Sequence, residues 1–404
     1  MDMRINWGAG LLLAASGWAF AQGTDLETLI RAGARNNPDL RVHRAETEGI
    51  ASDTLSGTAS PNPVLGFDAG YNVNEPSRPK ASLRLSQEFQ PGLRHRKNRA
   101  AHASLAADLQ SMRSVEAETK LEIRSAFFRW QILARKKALQ IQVEKRWESL
   151  VRIAAAKVKE GRLSQVDEGQ ARLNLAKAKQ RESGIQSDMD TELRRLAYLT
   201  GSGNGPDSLA AYPIDSLPPL PPSDSLIQWA LAENAGLKAM ALEIEAKRHA
   251  ADLETALRNP GFTLSVGYDR ETDGNNVVGG GVELPLPFTD RNRAGRARSL
   301  AALQAAEIRK AAEASRIASA VAGLHARLAR LQERYQAFRN EVLPLGAKQL
   351  ELSEKGFVQG QLGIFDLSRV QEDALDRESD ALDILDEYND QWNRLGMAVG
   401  GKTW

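Results

Sequence analysis

Residues 62–71 read NPVLGFDAGY, and residues 259–268 read NPGFTLSVGY. The Asn62-Pro63 and Asn259-Pro260 pairs fall in register, and so do Tyr71 and Tyr268. Each stretch alternates. Leu65, Phe67, Ala69 and Tyr71 oppose Gly66, Asp68 and Gly70; Phe262, Leu264, Val266 and Tyr268 oppose Thr263, Ser265 and Gly267. Period-two alternation places successive side chains on opposite faces of a sheet. A second run follows each. Ala81, Leu83, Leu85 and Phe89 alternate with Ser82, Arg84, Ser86 and Glu88, and Val278, Val282, Leu284 and Leu286 alternate with Gly279, Gly281 and Glu283. The segments between, 74–79 and 271–276, are polar and turn-forming.

Working outward from these hairpins, the chain is written twice. LETLIRAGARNNPDL from Leu26 is echoed by SLIQWALAENAGLKA from Ser225. VKEGRLSQVD (158–167) is echoed by FVQGQLGIFD (357–366), pairing Gly161 with Gly360 and Asp167 with Asp366. A repeat of about half the chain exceeds the roughly 20–50 residues of a solenoid unit. It predicts two structural halves. The first spans 22–200, with strands near 64–73 and 81–89 and long helices near 97–158 and 165–199. The second spans 226–400, with strands near 262–270 and 277–286 and long helices near 292–355 and 365–396. Residues 201–225 form a Pro/Ser/Gly linker.

The helices carry a different period. Ile317, Val321, Leu324, Leu328, Leu331, Tyr335, Phe338, Val342 and Leu345, with Leu352 a heptad on, step by four and three. That is a coiled-coil seam. Leu105, Leu109, Met112 and Val115, then Ala126, Trp130 and Leu133, repeat the pattern in the first half, and Leu382, Leu385, Tyr388, Trp392 and Leu395 do so on the last helix. A helix of some 60 residues is roughly 90 Å long. Pro344 predicts a local bend. Gly161 and Gly360 mark the turns from which second helices return.

Each strand run is long enough to cross a bilayer when tilted. Four strands cannot close a barrel, and an open edge in lipid costs several kcal/mol per unpaired backbone group. Other copies of the chain must complete the wall, and three copies give twelve strands. Leu65, Phe67, Tyr71, Leu83, Leu85, Phe262, Leu264, Val266, Tyr268, Val282 and Leu284 are the expected lipid-facing positions. The competing reading, soluble hairpins with one face on a core, lacks a second apolar layer for them to cover.

Arg4, the apolar run from Trp7 to Phe20 and the small-x-small site at Ala19–Ala21 predict an export signal over residues 1–21. With 53 basic and 52 acidic residues the chain has no basic bias toward nucleic acid. With no cysteine it has no thiol chemistry, disulfide or thiolate zinc site. The histidines, His43, His95, His102, His249 and His325, are dispersed, with only His95 and His102 close in sequence and no acidic or sulfur partner beside them. No catalytic constellation, cofactor motif or metal site is expected, and the chain is expected not to be an enzyme.

Taken together, NNPDL (36–40), QEFQPGLRHR (87–96), GRLSQVD (161–167), LAYLTG (196–201), ELPLPFTDRNR (283–293) and GQLGIFD (360–366), in an order repeated twice, resemble the TolC-type outer-membrane efflux proteins. QPGLRHR and LPLPFTDRNR are most similar to the CzcC-like heavy-metal branch. The resemblance implies a mainly α chain with a small transmembrane β part. As a homotrimer it would form a twelve-stranded β-barrel in outer-membrane lipid, continued by an α-barrel across the periplasm. Implied partners are a periplasmic adaptor protein and an inner-membrane transporter of the resistance-nodulation-division class. The implied function is a passive exit duct for metal cations or small toxic compounds. A duct for one-step protein secretion and a soluble periplasmic coiled-coil scaffold are the alternatives. By the same resemblance Asp366 and Asp167 would form carboxylate rings at the periplasmic constriction. The competing role for both is capping of the returning helices. Arg369 stands where some relatives carry a second acid, and offers a salt bridge instead.

Overall fold

The computed structural model describes residues 23–401 apart from 73–74, 204, 216, 259–260, 272 and 289, and leaves out the side chains of 56–58, 71–72 and 75–79. The expected export signal and the Asn259-Pro260 pair therefore lie outside the described residues. The element order repeats. Helices α1 (Leu26–Asn36) and α2 (Pro38–Thr58), strands β1 (Val64–Asn72) and β2 (Glu75–Phe89), and helices α3 (Leu93–Lys159) and α4 (Gln165–Thr200) come first. Then follow α5 (Ser223–Glu233), α6 (Ala235–Ala256), β3 (Phe262–Arg270), β4 (Asn276–Glu283), α7 (Arg293–Ala337), α8 (Leu343–Val358) and α9 (Ile364–Ala398), with a π-helical turn at Phe338–Val342.

Two compact units cut across the halves. One gathers the residues up to Leu40, Glu116–Ala232 and those from Ile317 onward; the other gathers Arg41–Val115 and Glu233–Arg316. The second unit contains an antiparallel sheet in the order β1-β2-β3-β4. Its central pairing, Leu83 with Tyr268 and Leu85 with Val266, joins a strand of each half. The edges of β1 and β4 have no partner among the described residues.

Three boundaries differ from the sequence reading. β2 begins at Glu75, so 75–79 is strand rather than loop. Pro76 and Pro79 are tolerated there because β3 pairs with β2 only from Ala81 onward. β4 stops at Glu283, because Pro285 and Pro287 bring no N–H to the ladder. Leu284 and Leu286 therefore lie past the strand, exposed. The second long helix is not one α-helix but three segments. Its π-turn, with Leu343 N–H donating to the Phe338 carbonyl, falls just before Pro344. Proline has no N–H and collides with the carbonyl four residues back. A wider turn relieves both, so the proline is absorbed by a π-turn.

That turn inserts one residue into the heptad. Ile317, Val321, Leu328, Leu331 and Tyr335 are buried as the seam predicts. Beyond the turn the buried positions become Gly346, Leu350, Ser353 and Phe357. Leu345 and Leu352, assigned to the seam, are 69% and 58% exposed. On α9 the predicted seam is buried throughout: Leu382, Leu385, Tyr388, Trp392 and Leu395.

Two of the sequence phrases meet at the base of α1 and α4. Asn37, fully buried, donates through Nδ2 to the Leu199 carbonyl at 3.0 Å and accepts the Leu40 N–H at 3.1 Å, capping α2 with Pro38 in its first turn. Gly201 ends α4 at φ 64°, and a Cβ there would sit 2.2 Å from the Asn36 carbonyl oxygen. NNPDL and LAYLTG thus form one joint. The 201–225 linker also packs, through buried Leu209 and Ile214, and gives way to α5 at Ser223.

Candidate functional site

Two surfaces hold the residues singled out above. The first is the sheet. The register places Leu65, Leu85 and Val266 in one row and Phe67, Leu83, Tyr268 and Val278 in the next, all on one face. The other face carries Gly66, Asp68, Ser82, Arg84, Ser265, Gly267 and Asp269. The apolar face is bare. Phe67 is 69% exposed, Val278 75% and Val282 72%. Leu65, Leu83, Leu85, Leu264, Val266 and Tyr268 are exposed as well, while Phe262 is half-buried and stacks on Phe89 at 5.5 Å. The side chain of Tyr71 lies outside the described residues. No element covers this face, so the reading of hairpins seated on a core finds no support among the described residues.

The second surface is the pair of helical turns in the other unit. Gly161 (φ 69°) and Gly360 (φ 78°) are both left-handed. Arg162 N–H donates to the Lys157 carbonyl at 2.9 Å and Gly161 N–H to Val158 at 3.0 Å. In the second turn Gln361 donates to Gly356 at 2.8 Å and Gly360 to Phe357 at 3.1 Å. These are matching Schellman ends, which need a left-handed residue. A Cβ at either glycine would meet nothing within 4 Å, so backbone conformation alone requires them. Beneath the turns Trp147, Leu150, Ala154, Ala171, Ala178, Phe357, Ile364 and Leu367 form one core drawn from both halves. Lys157 Nζ donates to the Phe357 carbonyl at 3.1 Å and sits 4.7 Å from its ring centre. Buried Asn174 donates to Ser368 Oγ at 3.0 Å.

The two aspartates differ. Asp167 closes a capping box: its N–H donates to Ser164 Oγ at 3.1 Å, and its Oδ2 accepts the Ser164 N–H at 3.2 Å and hydroxyl at 2.7 Å. Asp366 holds the same N3 position of α9, but Gly363 stands at the cap and supplies no side chain. Asp366 is exposed and accepts no hydrogen bond from a described residue. Arg369 is exposed and makes no ion pair among the described residues.

One feature escaped the sequence reading. Below Asp366, α9 exposes Asp373, Asp376, Asp380 and Asp383, stepping by three and four opposite its buried seam. The signal is present in the sequence as an acidic three-four stepping that complements the apolar one. The row runs into a cavity of about 240 Å³ lined by Arg129, Asp383, Asp386, Glu387 and Asp390, among others. Burial pushes Asp386 above the ordinary carboxyl range, against the pull of Arg129 and Lys136. Among the described residues no cluster of three His, Cys, Asp or Glu side chains is arranged to hold a metal ion. No described helix is long and apolar enough to cross a membrane.

Comparison with known proteins agrees with this architecture. The chain is 23% identical over 269 residues to the cobalt-zinc-cadmium resistance protein CzcC of Cupriavidus metallidurans, a match covering 66% of this chain and 64% of that protein. The fold superposes on the crystal structure of CusC with a TM-score of 0.78 at 16% identity, over 94% of this chain and 93% of that one. It superposes on the open-state MtrE outer membrane channel of Neisseria gonorrhoeae with a TM-score of 0.75 at 16% identity, over 93% and 88%. Residues 29–202 and 226–401 match the outer membrane efflux protein family, and the chain belongs to that family.

Proposed function

We propose that this chain is the outer-membrane component of a tripartite efflux system, a passive homotrimeric duct for metal cations or small toxic compounds. The observation that carries the reading is the sheet: four strands, two unpaired edges and a bare apolar face. Unpaired edges are stable in lipid only when a barrel closes. Three copies joined β4 to β1 make twelve strands, with the apolar face toward lipid and the Gly-, Ser- and charge-bearing face toward water. The two halves, 22–200 and 226–400, act as repeats that alternate around the wall. The similarity to the cobalt-zinc-cadmium resistance protein CzcC supports metal cations as cargo; a periplasmic adaptor and a resistance-nodulation-division transporter are the partners this reading assigns. Chemistry and energy come from the transporter; the duct contributes no catalytic group and no cofactor.

Asp366 is the better candidate for the constriction, because its carboxylate accepts no hydrogen bond from a described residue whereas that of Asp167 is held by Ser164. A ring of three carboxylates raises the local cation concentration. Gly161 and Gly360 shape the tips, and Arg369 would meet acidic groups of a neighbouring copy.

Membrane fractionation and native gels test the duct. The chain is expected in the outer-membrane fraction and as a trimer in mild detergent; a soluble monomer overturns it. Asp366→Ala is expected to lower cation selectivity in planar bilayers. Unchanged conductance and selectivity would leave Asp366 with no pore role.

A further inference from the structure

QPGLRHR follows β2 and LPLPFTDRNR begins at the end of β4, equivalent places in the two halves. β2 and β4 run in the same direction through the sheet and leave it at the same end, each leading into a long helix. At the start of α3 stand Arg94, Arg96, Lys97 and Arg99, all exposed, and no acid follows until Asp108. Just before and within the start of α7 stand Arg291, Arg293, Arg296 and Arg298, and no acid follows until Glu307. None of the eight forms an ion pair with a described residue. Arg96 is spent on the Asp252 carbonyl at 3.2 Å, while Nε of Arg296 is buried without an acceptor.

This placement opposes the helix dipole. The N-terminal end is positive and favours acids. α4 and α9 obey, with Asp167, Glu168 and Asp366 in their first turns; α3 and α7 carry no acid of their own there and are crowded with cations, while at α7 Asp290 Oδ1 accepts the Asn292 N–H at 2.8 Å and Glu254 Oε2 accepts from Asn292 Nδ2 at 2.6 Å. Four cations crowded onto a helix start, at equivalent places in both halves, mark a functional demand. The cations begin five residues beyond β2 and eight beyond β4. Head-group layers are about 5–8 Å thick on each side of the hydrocarbon core, within reach of long basic side chains.

We propose that these two clusters form a belt that binds the anionic head groups of phospholipids at the periplasm-facing surface of the outer membrane, fixing the depth of the barrel. The proposal rests on the reading that the apolar face of the sheet contacts lipid. The occupant is a phospholipid because the clusters continue directly from that face and their charge is complementary to phosphate. The membrane attraction of a basic residue near an anionic surface is worth about fivefold in affinity per charge.

The test uses full-length trimer in mild detergent, titrated with phosphatidylglycerol or phosphatidylethanolamine and read by native mass spectrometry. Wild type is expected to retain phosphatidylglycerol at least tenfold more than phosphatidylethanolamine, with the preference falling as salt rises. The variant Arg94→Gln, Lys97→Gln, Arg99→Gln, Arg293→Gln is expected to remain a membrane trimer and lose the preference. Equal retention of the two lipids by wild type, or an unchanged preference in the variant, overturns the belt while the duct stands. Displacement of the lipid by millimolar inorganic phosphate would likewise overturn it, since the site would then read free phosphate. A chain that never enters the membrane removes the duct and the belt together.

Discussion

Ser164 and Gly363 have nearly the same backbone angles, φ −82° and ψ 157° against φ −80° and ψ 162°, and each is followed three residues later by an aspartate. Only the serine can complete the box. Ser164→Ala is expected to cost about 1 kcal/mol, read as a lowered thermal midpoint. Gly363→Ser should do the reverse, since the conformation already suits an L residue and Asp366 Oδ2 lies 3.6 Å from where its Cβ would stand. A gain of about 0.5–1 kcal/mol follows from the cap and from the lost glycine entropy. The same change would engage Asp366, so cation selectivity should fall while stability rises. A rise in stability with selectivity untouched would separate Asp366 from conduction. The pairing of the two aspartates was legible in the repeat. Their difference was also written there, in a serine aligned with a glycine, and emerges only when the cap geometry is drawn.

The α7–α8 segment shows what a heptad alone leaves open. The stepping from Ile317 to Leu352 is unbroken on paper, but Pro344 cannot sit in an unbroken α-helix, and the π-turn that accommodates it moves every later residue by one position. Removing Asn340 together with Pro344→Ala restores an α-turn and keeps the seam through Gly346 and Leu350 in place. That double change should leave helicity and the melting midpoint within a few degrees of wild type. Deleting Glu333 instead rotates everything beyond it by about 100° and should abolish folding or assembly. Equal damage from the two deletions would deny the π-turn this role. Elements also meet electrostatically here. Burial pushes Glu354 of α8 and Glu378 of α9 above their ordinary value of 4.5, with Arg146 of α3 pulling both back. An acid whose pKa is higher folded than unfolded binds protons preferentially in the fold, so its contribution is present below the unfolded value and is lost as pH rises through the folded one. Glu354→Gln with Glu378→Gln should therefore raise the melting midpoint at neutral pH, and the gain should shrink toward pH ~4.5. A gain that grows on acidification contradicts the assignment.

For the whole molecule, the order of elements and both kinds of period were readable from one sequence because each is local: alternation for strands, three-four stepping for helices. The pairing of β2 with β3 across the halves, and the gathering of tip residues from both halves into one core, depend on contacts between segments far apart in the chain, which periodicity does not encode. The bare sheet face is where chain and assembly part company. On an isolated soluble molecule an exposed valine is a liability, and lysine in its place is neutral or helpful. In a barrel wall the sign reverses, because lysine at mid-membrane costs about 2–4 kcal/mol per site. Val266 lies in the middle of β3, between Leu85 and Gly280, on the apolar face; Ser265 beside it lies between Ser86 and Gly281 on the other. Val266→Lys is accordingly expected to deplete the outer-membrane trimer, and Ser265→Lys to insert and assemble with altered conductance. The contrast holds backbone, strand and charge constant and changes only the face. If both variants reached the outer membrane as trimers in equal amounts, the apolar face would not be the one that meets lipid.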